Sequence, residues 1–475
     1  MTDIILLALS TLAKEKRESE FEVEDTEYKG TYIGQLEPII KYRASLGGEN
    51  DIEVLALCTE KTKNDSANHA GMSSLDYFKK RVAEIAGEEN FKGTVTVTPI
   101  DISEEDPTDG IADTVDLIRQ KKDLGALWVD THGGFRDIAL TLEAVMSLVK
   151  VDGIVPERIY GIRYSENRAA LVDQKASFEM FDFVSGMNEF IDYGSVDQLN
   201  SYYKSHRDER LKDVLDAMNT ISDGTMECNP HQYLQGLDEL GKSINELEET
   251  DTMLGIFSRY IKDSYGVLLD PRKRTTVDII RRCIEKELYQ QALTILETLM
   301  PDEFVKRKIL YFEPEDLEKI KKRYPWLQPK YEDDNNFVIN RFVNSDFENP
   351  FFRREKPVPE NLNQEREYIE ILTGRQKNSK YLRSMDFLNL SKVVDSKKIS
   401  LNYDKDNPIE ITVKTNAGVN EWRKAGNLFR MHKALKKCRN RFNHCDSDRP
   451  LMKDIVTVME KYADLAEELF AAIKE

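Results

Sequence analysis

The chain has 475 residues, 40% of them hydrophobic and 32% charged, which fits ordered globular domains and not collagen-like, low-complexity or disordered sequence. Its 68 basic residues stand against 86 acidic ones, a formal charge of −18 that disfavours coating nucleic acid through the whole surface. No apolar run approaches the roughly 18 residues of a membrane span, so a membrane role is not expected. The run Ile4–Leu9 is too short for a secretory leader and follows Asp3 in place of a basic residue. Cys58, Cys228, Cys283, Cys438 and Cys445 are odd in number and include no CxxC pair. They fit reduced thiols in a cytoplasm better than a disulfide framework or a metal site, and no metal is expected.

Ile4–Ser10, Ile52–Cys58, Thr94–Ile100, Gly125–Asp130 and Arg158–Tyr164 read as strands, the first two almost continuously apolar, as in strands buried on both faces of a parallel sheet. Helical patterns fill the gaps at Tyr32–Ser45, Ser74–Ala86, Asp109–Lys122 and Ile138–Lys150. This alternation predicts an α/β, Rossmann-like N-terminal domain with right-handed crossovers. After about residue 200 the strand signal fades, and Leu211–Leu299 carries helical spacing, with Ile284, Leu288, Ala292, Ile295 and Leu299 on one side. Lys330–Pro359 reads as a polar, acidic and aromatic insertion. Ile399–Tyr403 and Ile409–Val413 read as a small hairpin joined by Asp404–Pro408, followed by helices over Asn420–His444 and Pro450–Ile473. The second half is therefore expected to be mainly α-helical, with a small β-hairpin.

Open parallel sheets bind ligands at the carboxyl ends of their strands. Here those ends read Ser10-Thr11, Thr59-Glu60-Lys61 and Thr131-His132-Gly133-Gly134-Phe135-Arg136. In the last, Gly133 and Gly134 allow close backbone approach, the following helix start favours an anion, and Arg136 suits a phosphate. The bland alternative is an ordinary strand-to-helix turn. No GxGxxG follows the first strand, which argues against a dinucleotide dehydrogenase. Gly236–Ser243 matches the P-loop pattern letter for letter, yet it lies in a leucine-spaced helical stretch where Asp238 and Glu239 would repel phosphate, so it reads as coincidence.

Asn420–His444 is amphipathic, with Trp422, Ala425, Leu428, Phe429, Leu435, Cys438 and Phe442 as the apolar stripe. Its other positions carry Arg423, Lys424, Arg430, Lys433, Lys436, Lys437, Arg439 and Arg441 against Glu421 alone. Such concentration in an acidic protein points to a polyanion, and the alternative is a solvated face paired with acidic helices. The helix ends in Arg439-Asn440-Arg441-Phe442-Asn443-His444. Arginine and histidine together fit metal-free RNA cleavage, in which a ribose 2′-hydroxyl attacks the adjacent phosphorus. Histidine exchanges protons near neutrality, while arginine neutralises charge on the phosphoryl oxygens. A spacing of five places the two side chains about 140° apart on an ideal helix, so two pairs facing across a dimer axis close a site better than one. The pattern alone is weak, since about one Arg-x4–6-His match is expected by chance.

In combination these residues resemble the CARF–HEPN ribonucleases that accompany type III CRISPR systems. Asp130–Arg136 resembles that family's strand-end signature, with one extra glycine before the aromatic residue. Tyr289–Thr294 is similar to the helix opening its C-terminal module, and Arg439-Asn440 with His444 matches its HEPN motif. The resemblance implies a CARF domain over 1–205, a helical linker over 206–270 and a HEPN ribonuclease domain over 271–475. It implies a homodimer that binds cyclic tetra- or hexa-adenylate as an allosteric activator, with no resident cofactor, and cuts single-stranded RNA to 2′,3′-cyclic phosphate and 5′-hydroxyl ends. Arg439 and His444 are then the catalytic pair, supported by Asn440. Ser10, Thr11, Thr59, Thr131, His132, Gly133, Gly134 and Arg136 are the ligand-site candidates, and Lys61–Gly71, with Asn68 and His69, is a candidate cover. Two rival readings are a sensing regulator without ribonuclease activity and a CARF ring nuclease that degrades its own ligand.

Overall fold

The apolar run that opens the chain forms strand β1 (Thr2–Ala8), in which Ile4 to Ala8 are wholly buried. The structure, a computed structural model, describes all residues except 12–17, 35, 65–70, 90, 104, 107, 109, 135–137, 166–167, 208, 248–252, 310, 324–368, 371, 374–395, 402–408, 415, 417–418, 444–449 and 474–475. The chain divides into two units, Met1–Asp182 and Phe183–Glu475.

In the first unit β1 is joined by β2 (Ser19–Val23), β3 (Lys29–Tyr32), β4 (Asp51–Cys58), β5 (Val95–Asp101), β6 (Leu124–Asp130), β7 (Arg158–Ser165) and β8 (Arg168–Asp173). The eight form one sheet in the order β3-β2-β8-β7-β6-β1-β4-β5. Alternation explains why the central runs of β1 and β4, Ile4–Ala8 and Val54–Cys58, are apolar at every position. Ile5, Leu7, Val54 and Ala56 join the core on one face, under the helices Glu37–Ser45 and Ser74–Glu88. Ile4, Leu6, Leu55 and Leu57 join the core on the other, under Ile111–Arg119 and Ile138–Val151.

The five strands read from the sequence are all present, but the sheet is mixed where a parallel one was expected. β7 and β8 are antiparallel, as are β2 and β3. Only two residues separate β7 from β8, far too few for the crossover that a parallel pair needs. β2, β3 and β8 are short and lie toward one edge of the sheet, and none of them carries a long apolar run. The helix expected over Tyr32–Ser45 starts only at Glu37, because Lys29–Tyr32 pairs with β2. Pro38 then sits in the first helical turn, where its missing N–H costs nothing. The Glu37 carboxylate accepts hydrogen bonds from the backbone N–H groups of Ile33 and Gly34 and pairs with buried Arg81.

The second unit is largely helical: Glu209–Met226, Pro230–Ser243, Met253–Tyr265, Thr276–Glu285, Tyr289–Lys306, Val419–Asn443 and Met452–Ala472 are its main helices. The stripe read as Ile284 to Leu299 belongs to two of them. The helix from Thr276 ends at Glu285, and Glu287 takes a positive φ of 58° before the next begins at Tyr289. The P-loop look-alike falls inside Pro230–Ser243, with Gly236, Leu237 and Leu240 buried, so no strand-to-helix loop exists there to hold phosphate. β9 (Tyr311–Phe312), β10 (Ser396–Leu401) and β11 (Ile409–Lys414) form a small antiparallel sheet in the order β10-β11-β9. Its β10–β11 ladder pairs two strands where a hairpin was expected, but the first runs Ser396–Leu401, three residues ahead of the expected Ile399 start, and residues 402–408 are outside the described residues, as is the insertion at 330–359. Among the described residues, no helix is long and apolar enough to cross a membrane, and no cluster of His, Cys, Asp and Glu could hold a metal ion.

Candidate functional site

Two sets of residues carry the chemistry read from the sequence, one in each unit. In the first, β1 lies between β4 and β6, and the connections leave its two sides in opposite directions, which makes the carboxyl ends of β1 and β6 the switch point of the sheet. The structure brings Ser10 and the glycine pair together there, where the Gly134 backbone N–H donates to Ser10 Oγ at 2.8 Å. A Cβ on Gly133 would meet the Ala8 carbonyl oxygen at 2.0 Å, and Gly134 takes φ +83°. The absent side chains therefore serve first to seat the β6 end against the β1 end, where the sequence reading had them open the backbone to a ligand. Thr11 is exposed beside them, whereas Thr59 is buried at the end of β4, its carbonyl accepting from Thr62 Oγ1 at 2.8 Å. Thr131 faces away from this junction and donates to Gln174 Oε1 at 2.6 Å. Arg136 lies outside the described residues, as do Phe135, Asn68 and His69.

His132 sits at the tip of β6. Its Nε2 lies 3.0 Å from the Tyr164 hydroxyl, and the two rings tilt together at 5.6 Å. Burial lowers the imidazole's pKa, favouring the neutral ring. Beneath it Asp130, fully buried, accepts from the His132 backbone N–H at 2.8 Å through Oδ1. Burial pushes the Asp130 carboxyl up to about 7, and the hydrogen bond from His132 opposes this only in part. Asp130 Oδ2 and His132 Nδ1 have no hydrogen-bond partner among the described residues. The arrangement offers a neutral imidazole, an exposed phenol and a tight backbone turn, groups that suit stacking and hydrogen bonding to a base or phosphate. Tyr164 and Gln174 were missed in the sequence; one sits on β7 in a position where polar and apolar residues alternate, the other just beyond β8, a strand with no strong signal.

In the second unit the basic helix Val419–Asn443 packs against Tyr289–Lys306 with the two running in opposite directions. Gln290 Nε2 donates to Asn443 Oδ1 at 2.6 Å, Glu297 faces Lys436 and Arg439, and Phe304 meets Phe429 edge-on at 4.9 Å. Ala425, Leu428, Phe429, Leu435 and Cys438 are buried as the spacing predicts, and Met431, His432 and Ala434 join them. Trp422 is a residue whose side chain is not described, and Phe442 is half-buried. Part of the basic face is paired in the bland manner, Lys424 with Glu468 at 2.9 Å and Lys436 with Glu297 at 3.4 Å.

Arg439 stands in the last turns of that helix, its side chain 27% exposed and Nη1 3.2 Å from Glu297 Oε2. The same Nη1 donates to Asn440 Oδ1 at 3.2 Å, which gives the asparagine a direct part in holding the guanidinium. His444 is outside the described residues. Glu297 was missed in the sequence, although a lone acid flanked by buried Ile295, Leu296, Leu299 and Met300 is itself a signal that it has a cationic partner.

No protein-family model matches the chain, and no curated protein does. Among solved structures, Csm6 of Enterococcus italicus bound to cyclic hexa-2′-fluoro-hexa-dAMP aligns over 99% of this chain and 94% of its own, at 12% identity and a TM-score of 0.39. A likeness that loose leaves the family open.

Proposed function

We propose that the chain is a cyclic-oligoadenylate-activated, metal-independent endoribonuclease that cuts single-stranded RNA in type III CRISPR defence, acting as a homodimer in the cytoplasm. Residues 1–205 form its sensor, 206–270 the link and 271–475 the nuclease. The observation that carries this reading is Arg439 at the end of the most basic helix, partly exposed and fixed by Glu297 and Asn440, five residues ahead of His444. A guanidinium so placed neutralises a phosphoryl oxygen, and a histidine within a turn or two moves the protons of the 2′-hydroxyl attack. The switch-point turn with Ser10, His132 and Tyr164 supports a nucleotide-like ligand in the sensor. Thr11, Thr59, Thr131, Gly133, Gly134 and Arg136 complete the candidate ligand set. Binding there would favour a nuclease-competent dimer only through a difference in affinity between its two states.

The test is cleavage of a labelled single-stranded RNA by the full-length protein, alone and with cyclic tetra- or hexa-adenylate. Arg439→Ala and His444→Ala are each expected to lower the rate by at least about 100-fold while leaving the fold intact. Products should end in 2′,3′-cyclic phosphate. Wild-type cleavage by both variants would leave a sensing regulator. Consumption of the cyclic nucleotide with no RNA cut would leave a ring nuclease.

A further inference from the structure

We propose that Glu297 is a positioning residue for the Arg439 guanidinium, an inference that rests on the ribonuclease reading. The three contacts between the antiparallel helices Tyr289–Lys306 and Val419–Asn443 lie seven residues apart along the first, at Gln290, Glu297 and Phe304. Glu297 is thus two turns inside the seam, directly below the end of the helix that carries Arg439 and Asn440. Its side chain is only 17% exposed, and its two oxygens serve different cations: Oε1 lies 3.4 Å from Lys436 Nζ and Oε2 3.2 Å from Arg439 Nη1.

Two features separate this from an ordinary structural ion pair. Among the described residues, the guanidinium is held by one corner. Nη1 meets Glu297 and Asn440, while the buried Arg439 Nε and Glu297 Oε2 have no hydrogen-bond partner among the described residues. A bidentate fork, the usual structural arrangement, would consume the donors that a phosphoryl group needs. A carboxylate beside a polyanion site also opposes binding, so its benefit must come in the reaction step, by fixing an otherwise mobile side chain. Lys436 offsets that opposition, leaving the three groups with one net positive charge.

The discriminating experiment measures RNA cleavage and RNA binding by the full-length protein carrying Glu297→Gln, beside wild type and Arg439→Ala. Loss of orientation is expected to lower kcat by roughly 10- to 100-fold. KM and the anisotropy-measured affinity for RNA should be unchanged or improved, because the repelling charge is gone. Glu297→Asp should recover part of kcat. A wild-type or raised kcat in Glu297→Gln, or kcat and RNA affinity falling together, overturns the inference. If Glu297→Gln does not fold, Glu297→Asp decides: kcat lowered at unchanged KM supports the role, and unaltered kcat overturns it. An inactive Arg439→Ala beside a fully active Glu297→Gln defeats the positioning role alone, whereas an active Arg439→Ala defeats the ribonuclease reading and this inference with it.

Discussion

Gly133 and Ala8 meet so closely that a Cβ on the glycine would stand 2.0 Å from the alanine's carbonyl oxygen. The contact joins the ends of β6 and β1, and the Gly134 N–H to Ser10 Oγ bond beside it depends on the same approach. Gly133→Ala should therefore push the two strand ends apart, at a cost of roughly 1–3 kcal/mol in the stability of the first unit. Urea unfolding would measure that loss. Isothermal titration with cyclic tetra- and hexa-adenylate should show binding lost in the same variant. A fully stable Gly133→Ala protein would mean that the turn is not held by this contact.

Asp130 makes a second, pH-dependent prediction. Its folded-state pKa, raised to about 7, lies above the ordinary carboxyl value of 3.8, so the folded state holds the proton more tightly. The associated stability is present at low pH and is lost as pH rises from about 4 to about 7, on the order of a few kcal/mol for a group so deeply buried. Asp130→Asn keeps an oxygen for the His132 N–H and has no charge to bury. It should gain stability over wild type progressively across that window and hold the gain above it. Unfolding midpoints at pH 4.5 and pH 8 test this, and a wild-type-to-variant difference that does not change with pH would contradict it.

The elements legible in the sequence are those whose pattern is set locally. Ile4–Ala8 of β1 and Val54–Cys58 of β4 are continuously apolar because both faces are covered, and the basic helix repeats its apolar residues at helical spacing. What was not legible depends on partners distant in sequence. β2 and β8 are strands by virtue of lying side by side in the sheet, although Phe21 and its partner Ala169 are 148 residues apart in sequence. Glu297 meets Arg439 across the helix seam, which nothing in either segment announces. Gly133 and Gly134 were visible as a turn, yet only the fold shows that Ala8 fills the space their side chains leave.

Asp3 gives a third prediction. Almost wholly buried at the start of β1, it accepts from Arg43 Nε at 2.7 Å, Asn50 Nδ2 at 2.9 Å and the Ala126 backbone N–H at 3.0 Å. One carboxylate thus ties β1 to β6 and to the helix Glu37–Ser45. Asp3→Ala strands the Arg43 guanidinium, itself nearly buried, and should cost roughly 3–5 kcal/mol. Replacing both partners, with Asp3→Ala and Arg43→Met together, should recover part of that loss because no unpaired charge is left inside. A double variant no more stable than Asp3→Ala alone would show that the hydrogen bonds to Asn50 and Ala126, and not the charge pair, carry the stability.

His432 imposes the opposite pH slope on the second unit. Its ring is buried, with Nδ1 3.2 Å from the Tyr462 hydroxyl, and burial, helped by nearby Lys436, lowers its pKa to about 3. A folded pKa below the unfolded value of 6.5 means that the folded state excludes the proton. The stability is complete above pH 6.5 and drains away as pH falls toward 3, by up to roughly 5 kcal/mol. His432→Gln cannot gain a charge and can still bond the Tyr462 hydroxyl, so it should flatten this acid limb while leaving the Asp130 slope of the first unit in place. Urea midpoints of wild type and His432→Gln should converge between pH 7 and pH 4.5 even if the variant begins less stable. Parallel loss in the two proteins would place the acid sensitivity elsewhere.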